Sequence, residues 1–114
     1  CFIFETIVFI IMEKRDLIIS SVKDRIYRID PDAKIFLFGS RAREDFVKDS
    51  DWDFLILTSK KVDRKLKNKI FDELFESELE TDQVLTGVVQ NKKSWEQYAM
   101  TPFYQNIQKD GVEV

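Results

Sequence analysis

No histidine occurs anywhere in these 114 residues. That absence removes Ser-His-Asp and Cys-His nucleophilic chemistry, and it leaves little from which to build a zinc site. Cysteine is almost as scarce. The single residue, Cys1, has no partner for an internal disulfide, which fits a chain kept in the reducing cytoplasm. Neither sign of charge dominates: 18 Lys and Arg against 21 Asp and Glu leave −3, so general nucleic-acid binding is not expected. Long apolar runs are missing too. The opening CFIFETIVFII is apolar apart from Glu5 and Thr6, yet too short to span a bilayer, and it lacks the basic start and small-residue cleavage site of a signal peptide. No membrane association is expected. With three glycines and two prolines, the chain shows neither a low-complexity segment nor an internal repeat.

What is present describes an ordinary globular domain, 44% hydrophobic and 34% charged, large enough for one core and too small for two. Residues 12–114 are read as that single domain, because Met12 is followed by a polar start, EKRD. Residues 1–11 are read as an upstream extension. The alternative for this segment is an extra edge strand or packing arm, since it is rich in β-formers and would favour dimerisation if exposed.

The informative stretch runs from Lys34 to Leu57, KIFLFGSRAREDFVKDSDWDFLIL. It reads as an apolar strand, a polar turn opened by Gly39-Ser40, and a second strand headed by Asp51 and Asp53. Gly39 can take a positive φ and lets backbone amides approach a ligand closely. Ser40 is a good N-cap for a helical turn over residues 41–46, leaving amide donors free for a phosphate. Asp51 and Asp53 are two apart on a strand and so share a face, with Trp52 on the other. Two such carboxylates repel, and a hard divalent cation with oxygen ligands, typically Mg²⁺, relieves the repulsion. A phosphate cradle beside a metal-binding pair implies phosphoryl or nucleotidyl transfer.

These residues carry a family resemblance. Gly39-Ser40, the gap from Arg41 to Ser50, and Ser50-Asp51-Trp52-Asp53 followed by an apolar run resemble the signature of the DNA polymerase beta-like nucleotidyltransferases, in particular the minimal nucleotidyltransferase (MNT) domains. One departure is visible: Glu44 stands where the family often has glycine.

The rest of the chain places a third acid. Helical spacing runs from Met12 to about Arg28, with Leu17, Ser21, Val22, Ile26 and Ile29 on the apolar side, and Asp30-Pro31-Asp32 ends it. Residues 34–38 and 54–57 are apolar on both alternations, which predicts a central sheet covered on both faces. Residues 60–79 read as an amphipathic helix with Val62, Leu66, Ile70, Phe71, Leu74, Phe75 and Leu79 on one stripe. Its basic residues lie in the first half and its acidic ones in the second, the wrong way round for the macrodipole. A third strand is predicted over 81–90, then a short helix with Trp95 and Tyr98, and a last helix from Thr101-Pro102 to Gly111. Gly39 and Asp51 share a site only if the first two strands are antiparallel. The helix, roughly 30 Å long at 1.5 Å per residue, then returns the chain for a parallel third strand by a right-handed crossover. Asp82 arrives at the same edge, and the family resemblance implies a third acidic residue on the corresponding strand. The predicted fold is thus α/β (α+β): a small mixed sheet with an antiparallel first pair and a parallel third strand, flanked by helices, the nucleotidyltransferase fold.

The expected site follows. Asp51, Asp53 and Asp82 are the catalytic and Mg²⁺-binding candidates. Gly39, Ser40, Arg41, Arg43 and Ser50 are the nucleotide-binding ones, with Ser50 shaping the turn. For Arg41 and Arg43, salt bridges to Glu44 or Asp45 are the alternative to neutralising charge on the transferring group. Trp95, Tyr98, Phe103 and Tyr104 are expected to pack the last helices. The resemblance implies ATP as substrate, AMP as the transferred group, and a HEPN-type protein as partner in a toxin–antitoxin module, with the acceptor hydroxyl on that partner. Two alternatives stand beside it: a non-catalytic module that neutralises a partner by direct contact, and a small-molecule nucleotidyltransferase. Either the acceptor or a second copy of the chain, making a homo-oligomer, is expected to wall the open site.

Overall fold

The computed structural model describes residues 2–43 and 51–114, with side chains from Lys14 onward. Glu44, Asp45 and Ser50, named above around the cradle, lie outside the described residues.

Helix α1 spans Phe2–Ile29, so residues 2–11 are helical and not an edge strand. From Lys14 onward it buries Ile18, Ser21, Val22 and Ile26. Leu17, expected on that stripe, is exposed, because Ile18 is the residue in line with Val22 and Ile26 at four-residue spacing. The helix closes at Asp30, whose amide donates to Ile26 at 3.0 Å, and Pro31-Asp32 turn the chain.

Strand β1, Lys34–Phe38, pairs antiparallel with β2, Trp52–Thr58, in a register that sets Phe38 opposite Asp53. Helix α3, Arg64–Thr81, follows the short α2, Ser40–Arg43, in chain order and leads to β3, Leu85–Asn91. β3 lies parallel to β2, with Leu85 opposite Trp52 and Thr86 opposite Asp53. Then come α4, Lys92–Trp95, a 3-10 turn at Glu96–Tyr98, α5, Pro102–Asp110, and β4, Val112–Glu113. The described strands form one sheet ordered β3-β2-β1-β4. The mixed sheet with its antiparallel first pair and parallel third strand is therefore as expected. β4 was not foreseen: two residues beyond Gly111 are too few for a periodic signal, yet they pair with Phe36 and Leu37.

Both faces of the sheet are covered. Ile35, Leu37, Trp52, Phe54 and Ile56 meet Ile18, Val22 and Ile26 of α1 and Leu66, Ile70 and Leu74 of α3. Each such aliphatic contributes about 1.5–3 kcal/mol on full burial. The other face sets Leu55 and Leu57 against Trp95 and Ile107. Here the tail aromatics pack edge-on or tilted, Trp95 to Tyr104 at 4.9 Å and Phe38 to Phe103 at 5.3 Å between centroids.

Helix α3 starts later and ends later than its periodicity predicts. Asp63 is its N-cap, accepting from the Leu66 amide at 2.8 Å, which excludes residues 60–62 from the helix. At the far end Asp82 caps it in the left-handed conformation, φ 56°, donating its amide to Glu78 O at 2.8 Å. Leu66, Ile70, Leu74 and Ser77 form its buried face, whereas Phe71, Phe75 and Leu79 point outward, contrary to the single stripe expected. Arg25 ties α1 to α3 through Glu73 at 3.0 Å and Glu80 at 2.8 Å.

Candidate active site

The site grows out of one register. Because Phe38 faces Asp53 across β1 and β2, the chain leaves β1 immediately beside that carboxylate. Gly39 adopts φ 73°, and a Cβ there would run into Asp53 Oδ2. Two independent demands, a positive φ and close approach, thus converge on one glycine. Its carbonyl accepts from the Ala42 and Arg43 amides, both at 3.1 Å, and so starts α2. Ser40 is consequently the first helical residue and not the cap as expected; glycine takes that position because it alone reaches the required φ without strain.

Asp51 stands exposed just before β2, and Asp53 is half-buried on the strand. By strand alternation Asp53 shares the face of Leu55 and Leu57, while Trp52 is buried on the other and donates from Nε1 to Gln83 at 3.2 Å. Burial pushes the Asp53 carboxyl up from its ordinary value, and the negative charge of Asp51 adds to that. A hydrogen bond from the Thr86 side chain and the positive charge of Arg43 act against it without cancelling it. The pair therefore carries an unresolved electrostatic cost that a cation would remove.

Asp82 does not join the pair. It belongs to the C-cap of α3, not to a strand, because α3 runs on to Thr81 and β3 begins only at Leu85. Thr86 occupies the position opposite Asp53 instead. Among the described residues, no three acidic, histidine or cysteine side chains come together as a metal-binding group. Arg41 is buried, with its guanidinium stacked 4.5 Å from the Trp52 ring centre. Arg43 is the exposed arginine whose charge reaches Asp53.

A cavity of about 230 Å³ opens beside Gly39, lined by Phe38, Arg43, Phe103, Asn106, Ile107 and Asp110. Asn106 and Asp110 were not among the expected site residues. Their four-residue spacing on α5 was readable, but nothing in the sequence said that α5 packs at this edge. A larger depression of about 520 Å³, lined by Arg28, Lys60, Lys61, Lys65 and Lys69 among others, lies beyond the opposite end of β2 and has no part in the carboxylate edge.

Do Asp51 and Asp53 suit a metal? Two hard oxygen donors lie within electrostatic reach of each other, and Asp53 is already burdened by burial and like charge. That set fits Mg²⁺, which binds through one or two carboxylates with substrate phosphates and water completing its shell. It does not fit an all-protein cage.

The model of the nucleotidyltransferase domain family matches residues 10–112. This chain belongs to that family. The nucleotidyltransferase is 32% identical, over 108 residues, to a Methanocaldococcus jannaschii protein named "Putative protein adenylyltransferase", covering 95% of this chain and 98% of that one. Its fold is also that of a solved structure described as "Crystal structure of the toxin-antitoxin with AMP-PNP", with TM-score 0.59, 20% identity, and 86% of this chain and 69% of the other covered. At that identity the likeness concerns the fold. Together these make the protein a nucleotidyltransferase enzyme of the MNT-like kind. Among its described residues no helix is long and apolar enough to cross a membrane.

Proposed function

We propose that this nucleotidyltransferase moves AMP from ATP onto a hydroxyl of a partner protein, in the cytoplasm, with Asp51 and Asp53 holding Mg²⁺. The observation that carries the reading is the carboxylate pair: Asp53 is half-buried beside Gly39 and repelled by Asp51. Bound there, Mg²⁺ would supply charge neutralisation for the phosphates. The chain's own residues do the rest. Gly39 keeps the approach to Asp53 free of a side chain. Ser40 stands next to it at the start of α2. The hydrogen bond from Thr86 fixes the Asp53 carboxyl, and Arg43 offers a positive charge to the transferring group. The acceptor oxygen bonds to the α-phosphorus, the bond to pyrophosphate breaks, and the hydroxyl proton passes to water.

The name of the archaeal relative supports a protein as acceptor, and the description of the structural neighbour supports a toxin as the class of partner. The resemblance of the Gly-Ser and Asp-x-Asp motifs points to a HEPN-type protein in that place. The test uses ATP labelled at the α- or the γ-phosphate, incubated with the chain, Mg²⁺ and the candidate partner. Label from the α position should appear on the partner and vanish with Asp53→Asn. Label from the γ position alone would mean phosphoryl transfer, and label from neither would sink the reading.

A further inference from the structure

The outward face of α3 takes no part in the transfer site. With Leu66, Ile70, Leu74 and Ser77 on the core, and Glu73 and Glu80 held by Arg25 on the α1 flank, the helix needs no further apolar surface. Yet Phe71, Phe75 and Leu79 are 43%, 55% and 65% exposed. Their spacing of four makes them one stripe on the outer surface of α3. That stripe lies towards β3, since Phe71 reaches Gly87 and Glu78 accepts from the Leu85 amide at 2.9 Å. β3 is in turn an edge strand, with no strand beyond it among the described residues. Two liabilities, an apolar seam and a free edge, therefore lie side by side.

The charge order along α3 says what covers them. Arg64, Lys65, Lys67 and Lys69 precede the centre of the helix, and Glu76, Glu78 and the cap residue Asp82 follow it. Against the helix's own dipole this order is unfavourable, and no acidic residue occupies its first turn nor any basic one its last. Laid antiparallel against a second copy, the same order becomes complementary. A two-fold axis at the level of Glu73 sets Phe71 against Phe75 of the other copy, Arg64 against Asp82, and Lys67 near Glu78. It also turns the two free β3 edges towards each other beneath the helices. We propose that the protein self-associates through α3 in this way, the self-complementary surface of an isologous dimer. The two carboxylate sites then lie at opposite ends of the dimer, each near the Asp82 end of its own α3, since Trp52 at the start of β2 bonds to Gln83 and Val84. This inference stands on α3 alone and does not depend on the transfer chemistry.

Sedimentation velocity of the purified full chain over a concentration series tests it. A dimer is expected, converted to monomer by Phe75→Glu with an unchanged far-ultraviolet CD spectrum. Arg64→Asp and Asp82→Arg should each weaken the dimer severalfold, and the double variant should regain it, since the exchange restores the pair in both copies. The charge variants decide the matter even if Phe75→Glu does not fold. A chain that stays monomeric at every concentration, as it would if the face served a different protein, overturns the proposal. So does a dimer indifferent to Phe75 and not regained by the double exchange.

Discussion

Two aspartates lie at opposite ends of the central sheet, and their surroundings could hardly differ more. Asp30, only 3% exposed, accepts from Thr58 Oγ1 at 2.7 Å, the Ser59 amide at 2.8 Å, Ser59 Oγ at 2.9 Å and the Asp32 amide at 3.0 Å. Burial alone would push its carboxyl up, but these donors outweigh it and bring it down to about 2. Asp53 is also pushed up by burial, with Asp51 adding to the rise, and the Thr86 hydrogen bond and the Arg43 charge do not reverse it. The protein thus satisfies the buried carboxylate completely and leaves the half-buried one in want of positive charge. The first is structure, tying the end of α1 to the end of β2; the second, in the function proposed here, holds the ligand.

The sharpest way to separate them is to remove each charge. Asp53→Asn should cut nucleotidyl transfer by at least about a hundredfold, the loss of several kcal/mol of charge stabilisation. The metal-free variant should melt no lower than the parent, because burial disfavours the charged form that is removed. Labelled transfer and thermal melting measure the two halves of this prediction. Asp30→Ala should do the reverse: a loss of about 3 kcal/mol in urea unfolding, as buried donors on Thr58 and Ser59 lose their acceptor, with transfer per folded molecule unchanged.

Acid should find Asp30 as well. Its carboxyl lies lower in the folded chain than its ordinary 3.8. The stabilisation, about 2 kcal/mol, is therefore complete above that value and disappears as pH falls from there towards 2. Unfolding curves across that range should show this component in the parent and not in Asp30→Ala. The smallest expected effect belongs to Thr86→Val. Losing the hydrogen bond that favours the charged form should raise the Asp53 carboxyl further, moving the acid limb of the pH–rate profile to higher pH.

The contrast also explains what the sequence made legible. The turn at Gly39 and the place of Asp53 on the second strand were readable because their signals are local: a glycine after an apolar run, and an apolar run resuming after Asp53. The antiparallel and parallel pairings followed from connection length. Asp82 was misplaced because a cap in the left-handed conformation leaves no periodic trace, so the end of α3 and the start of β3 were merged. The exposed Phe71, Phe75 and Leu79 were read as core because their spacing is helical either way; only the packed structure tells a buried stripe from an outward one. The network around Asp30 was invisible for a further reason: Thr58 and Ser59 reach it through the β1–β2 pairing, across nearly thirty residues of chain.

The most direct measurement is the melting temperature of the parent and of Asp53→Asn, with and without Mg²⁺ and a non-hydrolysable ATP analogue together. If the pair is a metal–nucleotide site, the parent should rise only when both are present, and Asp53→Asn should start as high or higher and not respond. A variant that melts well below the parent, with neither protein moved by the ligands, would contradict the account and make Asp53 a structural residue like Asp30.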